Sequence, residues 1–343
     1  MKLAITADPE IAVPPLHYGG IERIVDMLVR SLVERGHEVT LFANPESKPP
    51  CRLVPWPGLS SLSKVDTLRN GAVLGRYVLR ERFDLVHSFS RVAYMTAILP
   101  FKVPKLMTYQ REISRQSVRL GHRLSRGTLQ FTAISRWMMR DVEDIGAWHM
   151  VFNGVPLAKY DFKATVAPNA PLVFLGRIEE IKGPHIAIAV ARRTGIPLVI
   201  AGNIPSEHKG WFDAHVAPHI DDRLVRYVGP VNDQQKNALL GSAQAMLMPI
   251  LWEEPFGIVM AEAMACGTPV IGFRRGAVPE IVTHGETGYV VDTADEMVAA
   301  IERVAAIDRW AVRRRCEEKF SDERICDAYL DIYQLMLAEG RGS

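Results

Sequence analysis

Short apolar runs alternate with amphipathic stretches along most of this 343-residue chain. In the first half the apolar runs predict strands at Leu3–Thr6, Glu38–Ala43, Asp84–Phe89, Lys105–Tyr109, Phe131–Ile134 and Met150–Phe152. In the second half they predict strands at Leu172–Leu175, Leu198–Ala201, Val225–Val228, Ala245–Met248, Val270–Gly272 and Tyr289–Val291. Helical patterns fill the gaps. At Ile21–Arg35, Ile24, Val25, Leu28 and Leu32 recur at helical spacing and Gly36 ends the run. Similar patterns lie at His185–Thr194, Asn232–Gly241 and Ala294–Ile307.

Strands alternating with helices predict βαβ units and parallel sheets. The chain therefore reads as α/β, with two Rossmann-like halves. The first is residues 1–155 and the second is residues 156–320. The join falls in the Pro-rich, aperiodic stretch Asn153–Pro171. From Asp308 onward the pattern is helical only. The last helix, from about 321 to 343, has no following strand in the second sheet, so it is expected to cross back to the first domain.

Composition narrows the class. The hydrophobic set is 48% and charged residues are 23%, ordinary for a globular enzyme. That excludes a disordered, collagen-like or coiled-coil chain. A formal net charge of +2 also excludes nucleic-acid binding by bulk charge. Its division is less neutral: +7 over residues 1–155 and −5 over the remainder. The four cysteines form no CxxC pair and read as reduced thiols. With no membrane-length apolar run and no signal-peptide pattern, a cytoplasmic protein is expected.

Three segments carry candidate chemistry. The first runs from Glu253 to Val270. It follows a strand, turns at Pro255–Gly257 and continues as a helix to Gly267. The start of such a helix presents unpaired N–H groups at the carboxyl end of a parallel sheet, an anion site. Glu254 lies just before the helix and Glu262 just over one turn inside it. Either carboxylate can accept hydrogen bonds from sugar hydroxyls; the competing reading is a buried helix with capping acids. The second segment is Gly176-Arg177 through Lys182-Gly183. Its two cations read as a diphosphate clamp, or alternatively as loop cations paired with Glu179 and Glu180. The third is the loop Asp8–Tyr18 leading to Gly19-Gly20 and a helix. Paired glycines permit close approach to a phosphate, although the GxGxxG dinucleotide fingerprint is absent.

Taken in order, these features resemble the retaining glycosyltransferases of family 4, with the GT-B architecture of two Rossmann-like domains facing across a deep cleft. Glu254 and Glu262 match that family's E-x7-E motif, with Pro255-Phe256-Gly257 inside it. Gly19-Gly20-Ile21-Glu22-Arg23 resembles its glycine loop, Asp84-Leu85-Val86-His87 its DVVH strand and Asn153-Gly154-Val155 its interdomain NGV. Gly276–Val282 and Gly285–Gly288 resemble the stretch after the motif. Within the family the chain is similar to the short transferases of orthosomycin antibiotic assembly, of the avilamycin type.

The resemblance implies a nucleoside-diphosphate-sugar donor, with UDP favoured, held mainly by the second half. It implies Arg177 and Lys182 on the diphosphate, Glu262 on the ribose and Glu254 on the sugar. The amides of Phe256, Gly257, Ile258 and Val259 meet sugar and phosphate, the backbone near Val228 meets the base, and Gly20 approaches the diphosphate. Neither a metal nor a further cofactor is expected, and no Asp-x-Asp pair occurs in the chain. The expected acceptor is a small molecule, an oligosaccharide or a lipid, in antibiotic assembly or in lipid or envelope glycan synthesis. A nucleotide-sugar 2-epimerase, a phosphorylase or a non-catalytic nucleotide-sugar binder on the same fold are the rivals. A glycoside hydrolase using the two glutamates is weak, since both come from one strand–helix junction.

One position departs from the family. Many members carry a His after the strand at Lys105–Tyr109, where this chain has Gln110, which hydrogen-bonds but takes no proton at neutral pH. Arg111 is the candidate for a carboxylate-bearing donor. His87 closes a strand, with a cleft-lining role and an ordinary strand-end role both open. His215 and His219 read as surface residues, because Pro218 separates them. Finally, Arg111, Arg115, Arg119 and Arg123 recur every four residues beside His122 and Arg126, opposed only by Glu112. On a helix they predict one cationic stripe: a solvated face, an anionic-acceptor site or a peripheral membrane contact.

Overall fold

A computed structural model describes residues 1–16 and 19–341. The chain divides into two compact units, residues 1–153 with 322–343, and residues 154–321. The loop anticipated at Asp8–Tyr18 ends in His17 and Tyr18, which lie outside the described residues, as do the last two residues of the C-terminal segment.

Unit 1 is a seven-stranded, all-parallel sheet. Its strands are β1 (Lys2–Thr6), β2 (Glu38–Ala43), β3 (Arg52–Pro55), β4 (Leu85–Ser88), β5 (Lys105–Tyr109), β6 (Leu129–Ala133) and β7 (Trp148–Met150). Their spatial order is β3-β2-β1-β4-β5-β6-β7. Its helices are α1 (Gly20–Glu34), α2 (Lys64–Arg80), α3 (Val92–Met95), α4 (Arg115–Ser125), α5 (Arg136–Met139) and the terminal α13 (Asp322–Arg341). Strand β3 was not anticipated. It is an edge strand of four residues with only Val54 buried, so it has no apolar run to betray it.

Unit 2 is a six-stranded parallel sheet in the order β10-β9-β8-β11-β12-β13. Its strands are β8 (Leu172–Leu175), β9 (Leu198–Ala201), β10 (Val225–Tyr227), β11 (Ala245–Met248), β12 (Val270–Phe273) and β13 (Gly288–Val291). Five of them, all but β10, are buried at every position, as strands covered on both faces must be. The helices are α6 (Pro184–Thr194), α7 (Lys209–His215), α8 (Asp233–Ser242), α9 (Ile258–Ala265), α10 (Val278–Ile281), α11 (Ala294–Arg303) and α12 (Arg309–Phe320). Arg309 is buried and staples this unit. Its guanidinium donates to Lys163 O at 2.7 Å, Ala243 O at 3.1 Å, Gly241 O at 3.3 Å and Thr268 Oγ1 at 2.7 Å.

In each sheet, successive strands run outward from one strand and then jump to its other side. That reversal falls between β1 and β4 in unit 1 and between β8 and β11 in unit 2. Ligands of open α/β sheets lie at the carboxyl ends of the strands flanking such a reversal.

The C-terminal helix is anchored to unit 1 by a buried polar network. His87 is fully buried. Its Nδ1 lies 2.6 Å from Tyr333 Oη on α13, and its Nε2 lies 2.7 Å from Thr108 Oγ1. Tyr329 Oη stands 3.3 Å from the same threonine. This corrects the cleft-lining reading of His87: the side chain points under α13, where it couples β4 and β5 to the helix.

Burial pushes the His87 imidazole down to about 3. The unfolded value is about 6.5, so between these limits the unfolded chain holds a proton that the folded chain lacks. Stability is therefore lost as pH falls from about 6.5 toward 3, at about 1.4 kcal/mol per pH unit where the difference is complete. His87→Gln should be less stable than the parent at pH 7.5 yet show a shallower acid slope in urea unfolding. Equal slopes would remove His87 as the titrating group.

Candidate active site

Residues following β8 and β11 meet at the reversal point of unit 2. After β8 the chain passes Gly176 and Arg177, then makes a 3-10 turn over Glu180–Lys182. Gly183 closes that turn with φ 75°. A Cβ there would lie 2.0 Å from Pro249 O, so this crossing of the two loops requires glycine. The turn delivers Lys182 Nζ to Glu254 Oε2 at 2.7 Å. Trp252 Nε1 donates to the same oxygen at 3.1 Å, and the Lys182 ammonium sits 4.6 Å from the Trp252 ring centroid. Glu254 is buried. Both protein donors converge on Oε2, so Oε1 keeps its acceptor capacity.

The Glu254 backbone is held from behind. Its carbonyl accepts from Ala277 N at 2.8 Å, while Glu253 Oε2 accepts from Gly276 N at 2.5 Å. Gly276 has φ 52°, and a Cβ there would lie 2.2 Å from Glu254 O and 2.5 Å from Glu254 N.

Glu262 sits on α9 and is also buried. Tyr160 Oη donates to its Oε1 at 2.7 Å, and Lys236 Nζ on α8 bonds to that same oxygen. Lys236 also lies 3.6 Å from Asp233 Oδ1. Burial, with the Glu262 charge added, pushes the Tyr160 phenol well above its ordinary value, so it remains a donor. The two glutamates thus share one arrangement: a lysine and one further donor on one oxygen, and no hydrogen bond or ion pair to the other oxygen among the described residues.

Arg177 departs from the simple clamp. Its Nη2 lies 2.8 Å from Glu179 Oε1, and Glu179 is buried with His208 Nε2 at 3.3 Å from its Oε2. The competing sequence reading, a loop cation paired with Glu179, describes the contact observed for Arg177. For Lys182 it fails, because that partner is Glu254 rather than Glu180.

Helix α9 begins at Ile258, after Gly257 at φ 74°. The first amides, including those of Ile258 and Val259, precede the intrahelical ladder. The Phe256 side chain is core, packed edge-on against Phe320 with ring centroids 5.8 Å apart. Val228 follows β10; its amide donates to Ile200 O at 3.0 Å and its side chain is exposed.

In unit 1, Gly19 caps α1 and Gly20 opens it. Asp8 and Arg111 lie beyond β1 and β5, with Arg111 Nη2 3.2 Å from Asp8 Oδ2. Burial raises the Asp8 carboxyl, with Arg111 opposing, and burial likewise raises Glu22. Gln110 and Asn153 form a two-way amide pair, 2.8 Å in each direction. The structure thus brings these two sequence candidates together.

The arginine stripe is corrected. Ser114 caps α4, accepting from Ser117 N, so the helix starts at Arg115 and Arg111 is left on the preceding loop. Arg115 makes a paired contact with Asp144, at 2.7 and 2.5 Å. Opposition therefore comes from Asp144 and not from Glu112 alone.

Lys236, Tyr160, Trp252 and the contact of Gly276 with Glu254 were not found from sequence. Tyr160 lies in the aperiodic join and Lys236 in an unremarkable helix. Trp252 gave the one usable signal, an aromatic two residues before Glu254.

Residues 162–320 match the family described as glycosyl transferases group 1, and residues 18–159 match glycosyltransferase family 4. Among curated proteins, a glycogen synthase of Mycobacterium tuberculosis is 28% identical, covering 96% of this chain and 93% of its own length. Spore coat protein SA of Bacillus subtilis is 22% identical, over 97% and 99%. Among solved structures, AviGT4, a glycosyltransferase involved in avilamycin A biosynthesis, is 25% identical with a TM-score of 0.75, covering 98% of both chains. Anabaena Alr3699/HepE in complex with UDP and glucose is similar in fold, with 18% identity, a TM-score of 0.74 and coverage of 97% and 99%.

The contact of Gly276 with Glu254 yields a direct expectation. Gly276→Ala must move one strand end or the other, and a thermal melt should show a loss of about 1–3 kcal/mol. A Tm equal to the parent would mean that the loop carrying Glu254 is not held in this way.

Proposed function

The chain belongs to the glycosyltransferases of the group 1 and family 4 type, with the GT-B fold, and from that premise we propose that it transfers a sugar from UDP-sugar to an acceptor hydroxyl with retention of anomeric configuration. The observation that carries this reading is the Lys182–Glu254 ion pair at the reversal point of unit 2. It joins a phosphate-seeking cation to a hydroxyl-seeking carboxylate.

In this reading Lys182 and Arg177 take the diphosphate, with the first amides of α9 beside them. Glu254 accepts from hydroxyls of the transferred sugar and Glu262 from the ribose. These cations and amides stabilise charge on the departing diphosphate. The acceptor oxygen bonds to the anomeric carbon as the diphosphate leaves from the same face, and a phosphate oxygen takes the acceptor proton. The reaction proceeds without a metal. On unit 1, Gly20 is assigned to the diphosphate, and Gln110, Arg111 and Asn153 to the sugar and acceptor.

The acceptor is proposed to be a growing oligosaccharide of secondary metabolism, a reading supported by the likeness to AviGT4. A second reading, a lipid-borne or envelope-glycan acceptor, is favoured by an exposed apolar and cationic face of unit 1.

Thermal-shift titration should show stabilisation by UDP above GDP, ADP and dTDP, unchanged by EDTA. No response to any nucleotide would overturn the donor assignment. Glu254→Gln should lower turnover by about a hundredfold or more with UDP affinity nearly intact; unchanged turnover would remove Glu254 from the reaction. Lys236→Met and Tyr160→Phe should erode the preference for UDP over its 2′- and 3′-deoxy analogues by about tenfold, since each removes a donor that fixes Glu262. If the parent protein shows no such preference, Glu262 does not bind ribose. If the parent shows it and both variants keep it, the two residues do not position Glu262.

A further inference from the structure

Large exposed apolar side chains are concentrated in one place. Of the thirteen among the described residues, seven lie on α2, the loop before it, and α4. Leu62 is 84% exposed, Leu79 71% and Leu68 70%, and Leu59, Val65, Leu120 and Leu124 complete the set.

Their angular placement is ordered. At about 100° per residue, the outward residues of α2 occupy a sector of about 120° opposite buried Leu74. Leu68, Leu79, Ala72 and Val65 fill one half of that sector; Arg76, Arg69 and Arg80 fill the other. Helix α4 repeats the split, with Arg119 and Arg123 on one side and Leu120 and Leu124 on the other.

Both helices belong to one layer. The connections β3→β4, β4→β5 and β5→β6 all run in the same direction across the sheet, so right-handed crossovers place α2, α3 and α4 on the same face. Small residues hold them close. A Cβ at Gly71 would lie 3.2 Å from Tyr94 O and one at Gly75 3.2 Å from Ala97 Cβ, while one at Gly121 of α4 would lie 3.2 Å from Val92 Cγ1. Helices α2 and α4 thus flank α3 and turn their mixed faces outward.

We propose that this α2–α4 face is a peripheral docking surface for an anionic lipid bilayer. The face demands a partner that is apolar and negative at once. Two nearby acids are engaged: Asp66 accepts from Ser60 N at 3.2 Å and lies 3.9 Å from Arg69 at the edge of the sector, and Asp144 is held by Arg115. Two copies of the chain meeting here would set arginine against arginine. A bilayer with anionic headgroups takes the leucines at the headgroup boundary and the arginines at the phosphates. Helix α2, with 17 residues, lies flat over about 25 Å of such a surface. No helix among the described residues is long and apolar enough to cross a membrane, so the contact is interfacial. The contact uses none of the residues assigned above to the transfer reaction.

The test is co-sedimentation of the full chain with phosphatidylcholine vesicles, with and without phosphatidylglycerol. Binding is expected only with the anionic lipid and should fall at high salt. R69E/R76E should weaken it by about tenfold or more. L68D/L79D should weaken it comparably, and the Tm of each variant should match the parent because all four side chains are exposed. Absence of binding to anionic vesicles overturns the proposal, as does binding undiminished in both variants. Self-association in light scattering that these variants abolish, without vesicle binding, assigns the face to a second copy instead.

Discussion

A parallel sheet has a direction, and the candidate chemistry of this protein follows from that constraint. All strands of a unit end at the same edge, so the loops that leave them gather there. Where the strand order reverses, two neighbouring loops leave in opposite directions and part. In unit 2 that place lies between β8 and β11. One loop brings Lys182 and the other brings Glu254, and the ion pair between them closes the gap. A bare glycine at 183 lets the two backbones cross.

Charge organisation in this site is local. Unit 2 lies in the acidic half of the chain, yet each key glutamate is matched by a lysine: Lys182 with Glu254 and Lys236 with Glu262. Pairing offsets the cost of burying these carboxylates and leaves one oxygen of each for a ligand. Unit 1 uses its ionisable groups differently. His87 is spent on anchoring α13, and Arg111 on Asp8. Five arginines on the outward faces of α2 and α4 (Arg69, Arg76, Arg80, Arg119 and Arg123) stand beside leucines.

Much of this was legible in the sequence. Buried parallel strands are continuous apolar runs, so β2, β5, β8, β9 and β11 match their predicted bounds residue for residue. The GT-B architecture and the glycosyltransferase class were likewise readable, because the motifs occur in order along one chain. The weaker elements were not. Strand β3 is short and lies at the edge, and nothing in its pattern separates it from a loop. The arginine period around Arg111–Arg126 suggested a single helix, but Ser114 offered a cap, and the helix began one residue after it.

What the sequence determined by itself is whatever depends on neighbours in the chain: strand and helix periods, caps, glycine turns and the E-x7-E spacing. Only the tertiary structure decided which side chains meet across long separations. Lys236 reaches Glu262 over 26 residues, Lys182 reaches Glu254 over 72 and Tyr160 reaches Glu262 over 102. No local period encodes such pairings. They depend on strand order, which sets which loops become neighbours, and on burial, which makes an unpaired charge too costly to leave. The same reason moved His87 from a possible ligand contact to the underside of α13.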